Sequence, residues 1–322
     1  MKTPMSHIQA ILLAGVAIWS GELTVMQAGS AEKTYAPTEH TDTYALIVSG
    51  INKDPNDRLA KEQVVMNLRS FFLNNARLKP EQVCLLTTGD SALRESTKIS
   101  TAENLREALT AFAAKIQPAD RFVFYYAGQA NTVASQLRLN LPGEDITHRS
   151  LAEWINQIKA SSMMIVLDCP GAGLAAKALT GAGRVVICGC ESEQHYSTKL
   201  GEYFVPVLTD PNSDTDNNGK VSVLEAFTLA CRQIEDWYRQ RNLLKTETPV
   251  LEDNADGTPS PQPWRLAPSA GSGQALSLSN GYESDKGDGL LASQFFLVGE
   301  PRHSDGGVNR LAPQFIAGFF GL

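Results

Sequence analysis

The chain is poor in cysteine, in clustered positive charge and in long apolar runs. Five cysteines, Cys84, Cys169, Cys188, Cys190 and Cys231, are spread over 322 residues. So sparse and odd a set excludes a disulfide scaffold and leaves at least one thiol unpaired within a monomer, so an apolar core must hold the fold. No basic run occurs anywhere. Lys and Arg number 28 against 35 Asp and Glu, a net charge of −7, which argues against nucleic acid or an anionic lipid surface as partner. No internal repeat is visible, and beyond the N-terminus no segment is long enough to span a bilayer. What remains is 43% hydrophobic and 20% charged, an ordinary globular balance with enough apolar mass for one sizeable core.

The N-terminus has its own pattern. Lys2 precedes the apolar stretch "AILLAGVAIW" and then small residues in "MQAGSAEK", the layout of a cleavable export signal with cleavage after Ala31. The alternative is an uncleaved anchor. The expectation is a signal peptide over 1–31, a polar leader over 32–42, and an exported protein, periplasmic or extracellular, with no membrane span once the signal is removed.

From residue 43 onward, apolar runs alternate with amphipathic ones. "YALIVS" (44–49), "QVCLLT" (82–87), "RFVFYY" (121–126), "MMIVL" (163–167) and "RVVICGC" (184–190) are short, β-branched or aromatic, and carry little polar alternation. That is the pattern of strands covered on both faces. Helical periodicity appears over roughly 58–76, over 101–116, after Thr147, and from Ser222 to about Leu243. In the second of these, "STAE" reads as a capping box with Ser100 as cap and Glu103 reaching back. Strand and helix alternating this regularly predict an α/β fold with a mostly parallel sheet and helices on both faces. In such sheets chemistry gathers at the carboxyl ends of strands. The positions to inspect are Ser49-Gly50, Thr87-Thr88, Ala127 to Ala130, Asp168 to Gly173 and Cys188 to His195. Gly, Ser, Pro and Asp dominate from Glu252 to about Leu290, which reads as loop, and "LLASQFFLV" (290–298) has the pattern of a return strand.

At the strand ends the sequence resembles the caspase-like and legumain-like (C13-type, clan CD) cysteine peptidases, in a degenerate bacterial form. "RFVFYYAGQA" is similar to their strand ending in an aromatic pair and a His-Gly base motif. "MIVLDCPGAG" is similar to their strand ending in an acidic residue, a small residue, the nucleophilic Cys, any residue, then Ser-Gly. "LIVSGINKDP", "NLPGEDIT", "LTGAGRVVI", "DTDNNGKVSVLEAF" and "TPVLEDNADG" follow in the expected order, so the resemblance covers about 43–257, with 258–322 as a C-terminal extension. It implies a three-layer α/β/α sandwich with a mostly parallel sheet of about six strands. Laid on the motifs, Gln129 stands in the base position and Pro170 in the nucleophile position, while Cys169 falls one residue early. One residue is about 3.8 Å of chain, and in extended backbone it turns the side chain to the opposite face. A Gln amide takes up no proton at neutral pH, and proline offers no nucleophile. A displaced dyad of Cys169 or Cys190 with His195 is the catalytic alternative; burial as inert core, or a disulfide from Cys169 to Cys188 or Cys190, is the structural one. His148, near a helix start, reads as a solvated imidazole.

"DTDNNGKVSVLE" (214–225) fits the calcium-loop pattern D-x-[DN]-x-[DN]-G-x5-E at every fixed position. Asp214, Asp216 and Asn218 offer side-chain oxygens, Lys220 its carbonyl, Ser222 a ligand through water, and Glu225 both carboxylate oxygens, a set that suits Ca²⁺. An Asx-rich turn capping the next helix uses the same residue types. Pro206 upstream argues against a regular incoming helix, and "LEDNADG" (251–257) carries only the first half of a similar loop. The sequence therefore predicts an exported, non-proteolytic binding or regulatory module with a structural calcium loop, taking a peptide or protein in the strand-end cleft. An active peptidase or transpeptidase with a shifted thiol, and a calcium-stabilised structural envelope protein, are the alternatives.

Overall fold

Residues 42–89, 98–263 and 287–298 are described by a computed structural model. The stretch 1–31 expected to be a signal, the leader before Asp42 and the tail beyond Val298 lie outside them. Strands β1 (Thr43–Ser49), β2 (Val83–Thr87), β3 (Lys98–Ile99), β4 (Arg121–Ala127), β8 (Ser162–Asp168), β9 (Arg184–Cys188) and β10 (Val250–Glu252) make one sheet. Its order is β10-β9-β8-β4-β1-β2-β3, seven strands where about six were expected. All pairings are parallel except that of β10 with β9. A second, three-stranded antiparallel sheet is formed by β5 (Ala130–Val133), β6 (Gln136–Leu139) and β7 (Ile146–Thr147).

Helices α1 (Pro55–Ser70), α5 (Leu200–Val207), α6 (Val223–Gln240) and the short α7 (Leu290–Ser293) lie on one side of the main sheet. Helices α2 (Ala102–Lys115), α3 (His148–Ile155) and α4 (Ala176–Leu179) lie on the other. The cause is the period-2 alternation of strand side chains. Leu46, Val48, Phe122, Phe124, Tyr126, Ile165 and Leu167 face α2, α3 and α4. Ala45, Ile47, Val123, Tyr125, Met164 and Val166 face α1, α5 and α6. Because both faces are covered, the middle positions of β1, β4, β8 and β9 are apolar, and each buried Leu, Ile or Phe contributes roughly 1.5–3 kcal/mol. The result is a three-layer α/β/α sandwich.

Local capping sets the helix starts. Asp54 caps α1 by accepting from the amides of Asn56 (2.8 Å) and Asp57 (3.0 Å), with Pro55 in the first turn. The helix therefore begins before residue 58 and gives way to a π-turn over Phe71–Asn75. Thr101, not Ser100, caps α2, accepting from Asn104 N at 3.2 Å. Ser100 instead donates its hydroxyl to the carbonyl of Ser49 at 2.6 Å, tying the α2 entry to the end of β1. His148 is buried, not solvated: its Nδ1 accepts from Leu137 N at 3.2 Å, and burial lowers its pKa. Residues 290–298 form no return strand. Asp253 accepts from Gly289 N and Ala292 N at 2.7 Å each, which starts α7, and the stretch then touches Ser222 through a single bridge at Phe296. Pro206 does not abolish the helix before the acidic loop either. It sits in the last turn of α5, exposed, where one lost hydrogen bond is tolerated.

Register brings the functional surface together. Ser49 pairs with Ala127 and Ala127 with Asp168, so β1, β4 and β8 end on one line, with Cys188 of β9 opposite Leu167. Replacing Thr101 by Ala is expected to lower unfolding stability by about 1 kcal/mol in urea denaturation, the usual loss for an N-cap hydroxyl. A Ser100→Ala change leaves the Ser49 carbonyl short of its side-chain donor and is expected to cost a similar amount.

Candidate functional site

The strand ends of β1 and β4 close on each other with almost no free space. Gly50 N donates to Ala127 O (2.8 Å), Ile51 N to Asn140 O (2.9 Å) and Gln129 N to Ile51 O (3.0 Å). The Tyr126 hydroxyl reaches up between them to donate to Gln129 O at 2.7 Å, with Asn140 O at 3.1 Å. Glycine is required here: a Cβ on Gly50 would stand 2.0 Å from that hydroxyl, and one on Gly128 would stand 2.7 Å from the Gly50 Cα. Gln129, the residue in the base position, is thus held by its main chain, and its amide carries no titratable proton. The β5–β6 hairpin that follows turns through Ala134 and Ser135 with φ of 50° and 57°, a positive-φ turn built without the usual Gly or Asn.

Below this rim lies a buried charge network. Lys61 Nζ meets Asp168 Oδ1 at 2.7 Å, with the two side chains 2% and 0% exposed. The ammonium also donates to the Thr198 carbonyl (2.6 Å) and reaches its hydroxyl (3.2 Å). Thr198 Oγ1 donates to Asp168 Oδ1 at 2.6 Å, and Gly201 N donates to Oδ2 at 3.1 Å. The Tyr125 hydroxyl lies against the same carboxylate without hydrogen-bond geometry, and burial with that charge pushes its phenol well above 10. A Cβ on Gly201 would fall 2.6 Å from Asp168 Oδ2, from the Tyr125 hydroxyl and from Val64 Cγ1, so α5 starts as close to the sheet as backbone allows. Asp168 ends β8 as the strand pattern predicts, whereas Lys61, Thr198 and Tyr125 join it without any local motif that marks them. A signal for Lys61 existed: it occupies the apolar stripe Lys61, Val64, Val65, Leu68, where a lysine is unexpected unless paired.

The thiols sit on the other side or beneath a loop. Cys169 follows Asp168, so its side chain turns to the opposite face; it is fully buried in the α2–α3–α4 cluster. Burial first, then neighbouring Cys190, Asp168 and Cys188, hold its pKa well above 9. Pro170 is buried. Cys190 is also fully buried, its pKa pushed up to about 11 by desolvation. Its sulfur accepts from Gly171 N at 3.1 Å and donates toward Gln194 O at 3.2 Å and Cys169 O at 3.5 Å. His195 is exposed, and among the described residues it makes no hydrogen bond to either sulfur. All five cysteines are free thiols. The 189–195 loop lies directly on the turn it would have to uncover: Gly171 N donates to Gln194 O (2.7 Å) and Gly173 N to Cys190 O (2.9 Å).

A separate acidic centre forms where 214–225 enters α6. Ligand oxygens of Asp214, Asp216 and Glu225 lie within 4.8 Å of one another. Two oxygens facing each other across a Ca²⁺ ion are separated by about 4.6–5.2 Å, so the set fits one such ion. The loop is wound by its own side chains: Asp214 accepts from Asn218 N (3.1 Å) and Gly219 N (2.7 Å), and Asn218 Oδ1 from Lys220 N (3.0 Å). Gly219 takes a φ of +88°, as the sharp turn requires. Glu225 is buried and does double duty. Its Oε1 accepts from Thr215 N (2.7 Å) and Asp216 N (3.2 Å), while its Oε2 accepts from Ser222 N and Oγ at 2.8 Å each. With Ser222 Oγ accepting from Glu225 N, that is a full capping box for α6. Both readings of the motif, cap and cation loop, are therefore compatible with one geometry.

Removing one partner of a buried pair strands a charge, so Lys61→Ala is expected to destabilise the fold by about 3–5 kcal/mol. Asp168→Asn strands the Lys61 ammonium in the same way and is expected to cost a similar amount, even though an amide oxygen remains for Gly201 N; the denaturant midpoints of the two variants check this.

No protein-family model matches the chain, and no curated protein matches it. Among solved structures the chain is similar to the Drosophila initiator caspase Dronc, with 10% sequence identity, coverage of 76% of this chain and 94% of that one, and a TM-score of 0.44.

Proposed function

We propose that the chain is an exported caspase- or legumain-like domain that works without thiol chemistry, as a binding or regulatory module for a peptide or protein at its strand ends. The observation that carries this reading is the pairing of Pro170 in the nucleophile position with a neighbouring thiol, Cys169, that is fully buried. A cysteine peptidase needs an accessible thiolate and a base within hydrogen-bond reach. Loss of the base alone forfeits about 10²–10⁴ in rate, and loss of the nucleophile removes the covalent route. What the rim retains is backbone, rigidly held, and recognition is the role left to it. A peptidyl acyloxymethyl ketone is expected to leave the native protein unlabelled and to modify it after denaturation. Labelling of native protein that disappears in Cys169→Ala or Cys190→Ala would overturn the reading. Fluorescence anisotropy with extended peptides should show binding, and mass spectrometry of the same mixtures should show them uncut.

The 214–225 loop is proposed to hold one structural Ca²⁺ through Asp214, Asp216, Asn218, the Lys220 carbonyl, Ser222 and Glu225, clamping the start of α6. Support comes from the convergence of the three carboxylates together with the completeness of the ligand pattern. A ligand that binds the native state alone stabilises it by about 2.7 kcal/mol at a hundredfold excess over its Kd. Calcium is expected to raise the melting temperature and chelator to lower it, with the effect gone in Asp216→Ala, which leaves the Ser222–Glu225 cap intact. An identical melt with and without calcium would remove the proposal.

A further inference from the structure

The segment after α6 fastens the loop that covers the Gly171–Gly173 turn, and it does so around a carboxyl group with no counter-ion in contact among the described residues. Glu247 is 0% exposed. Its Oε2 accepts from Lys199 N at 2.6 Å and its Oε1 from the Tyr238 hydroxyl at 3.1 Å, both neutral donors. The cation whose charge acts on it, Lys61, is already engaged, 2.7 Å from Asp168. The cluster therefore holds one ammonium for two carboxyl groups in a place that water does not reach, and burial there favours the neutral form of the second carboxyl.

The hydrogen bonds allow both states. Tyr238 OH and Thr246 Oγ1 are 2.9 Å apart with either able to donate. With Glu247 neutral, its Oε1–H keeps its proton and donates a hydrogen bond to the Tyr238 oxygen, and Tyr238 donates onward to Thr246. With Glu247 ionised, Tyr238 turns its proton back to Oε1 and Thr246 donates to Tyr238. Only the second state leaves an uncompensated charge under the segment. Next door, Thr248 N donates to Gln194 Oε1 (2.7 Å) and Gln194 Nε2 to Thr248 Oγ1 (3.2 Å), while Gln194 O holds Gly171 N. The groups facing Glu247 are Lys61 from α1, Asp168 from the end of β8, Cys190 after β9, Tyr203 from α5, and Cys231 and Tyr238 from α6. Among them Lys61 is the sole positive group.

We propose that Glu247 is a proton-operated latch: protonated, it fastens residues 245–248 and the 189–199 loop over the strand-end turn, and ionised, it releases them. The latch governs access to the same surface as the proposed binding role, but it holds whether or not a partner binds there.

Burial raises the Glu247 pKa from 4.5 to about 7. A folded-state pKa raised in this way gives closure that is complete below about 4.5 and is lost as pH rises through about 7. Hydrogen exchange of the full chain, corrected for intrinsic rates, is expected to show protection in 190–199 and 244–249 falling roughly thirtyfold between about pH 5.5 and 8.5. Glu247→Gln, neutral at every pH, should hold that protection flat. Asp288, a second buried carboxyl raised to about 7 by desolvation, immediately precedes the N-cap of α7 and accepts from Asp253 N at 3.0 Å; Asp288→Asn should leave the slope in 190–199 unchanged. A flat wild-type profile in these two segments, or a slope that survives in Glu247→Gln, overturns the latch. Carbon-13 titration of Glu247 in the unaltered protein needs no variant: a midpoint near 7 supports the latch and one below about 5.5 refutes it. Neither measurement uses proteolysis or partner binding, so the binding reading can fail while the latch stands.

Discussion

Placing a carboxylate at the buried end of a central strand obliges the rest of the fold to answer it. Asp168 closes β8 on the α1–α5 side of the sheet, and an ion there is costly unless it is paired and fully hydrogen-bonded. Lys61 supplies the charge from α1, Thr198 a hydroxyl from the 189–199 loop, and Gly201 an amide from α5. One side chain thus joins a strand, two helices and a loop. The alternation of the strand does the rest. With Asp168 fixed on that face, Cys169 must turn to the other, into the α2–α3–α4 core. The ion pair and the sealed thiol are consequences of a single register.

The layers of the fold were legible because the central strands β1, β4, β8 and β9 are covered on both faces. Unbroken apolar runs such as "YALIVS" and "MMIVL" admit few other readings when helical periodicity separates them, and the observed strands depart from the expected bounds by a residue or two. What stayed hidden depends on context outside the local pattern. The β5–β6 hairpin turns through Ala134 and Ser135 in place of an Asn-Gly pair, so its turn carried no signature. Ser100 and Thr101 are adjacent hydroxyls, and which of them caps α2 is decided by the Ser49 carbonyl, remote in sequence. The run at 290–298 has strand composition, but Asp253 holds the amides of Gly289 and Ala292 and winds it into a helical turn.

At the candidate site the split is similar. The motif offsets located Gln129, Asp168, Cys169 and Pro170, and the acidic loop, because these are properties of a few contiguous residues. The partners that give those residues their meaning come from afar: Lys61 from α1, and Glu247 from beyond α6. His195 and Cys190 are five residues apart in sequence, yet one is in solvent and the other is under a loop. Proximity in the chain carried no information about reach.

Thiol-dependent acyl transfer has a third requirement beyond nucleophile and base, which is a set of main-chain donors free to meet an oxyanion. Here the amides around the turn are committed to the protein itself. Gly128 N donates to Asp168 O at 3.2 Å, and Gly171 N donates to Gln194 O at 2.7 Å with Cys190 Sγ at 3.1 Å. The residue between the buried thiol and Gly171 is a proline, which has no N–H to give. Restoring a thiol at 170 and an imidazole at 129 would therefore still leave the developing negative charge without its donors, until the 189–195 loop were lifted from Gly171. The same bonds that remove those donors hold the rim rigid. The surface built in this way has a fixed shape, and the loop that covers it, pinned through Gln194 to Thr248, is the part that would have to move for anything beneath it to be reached.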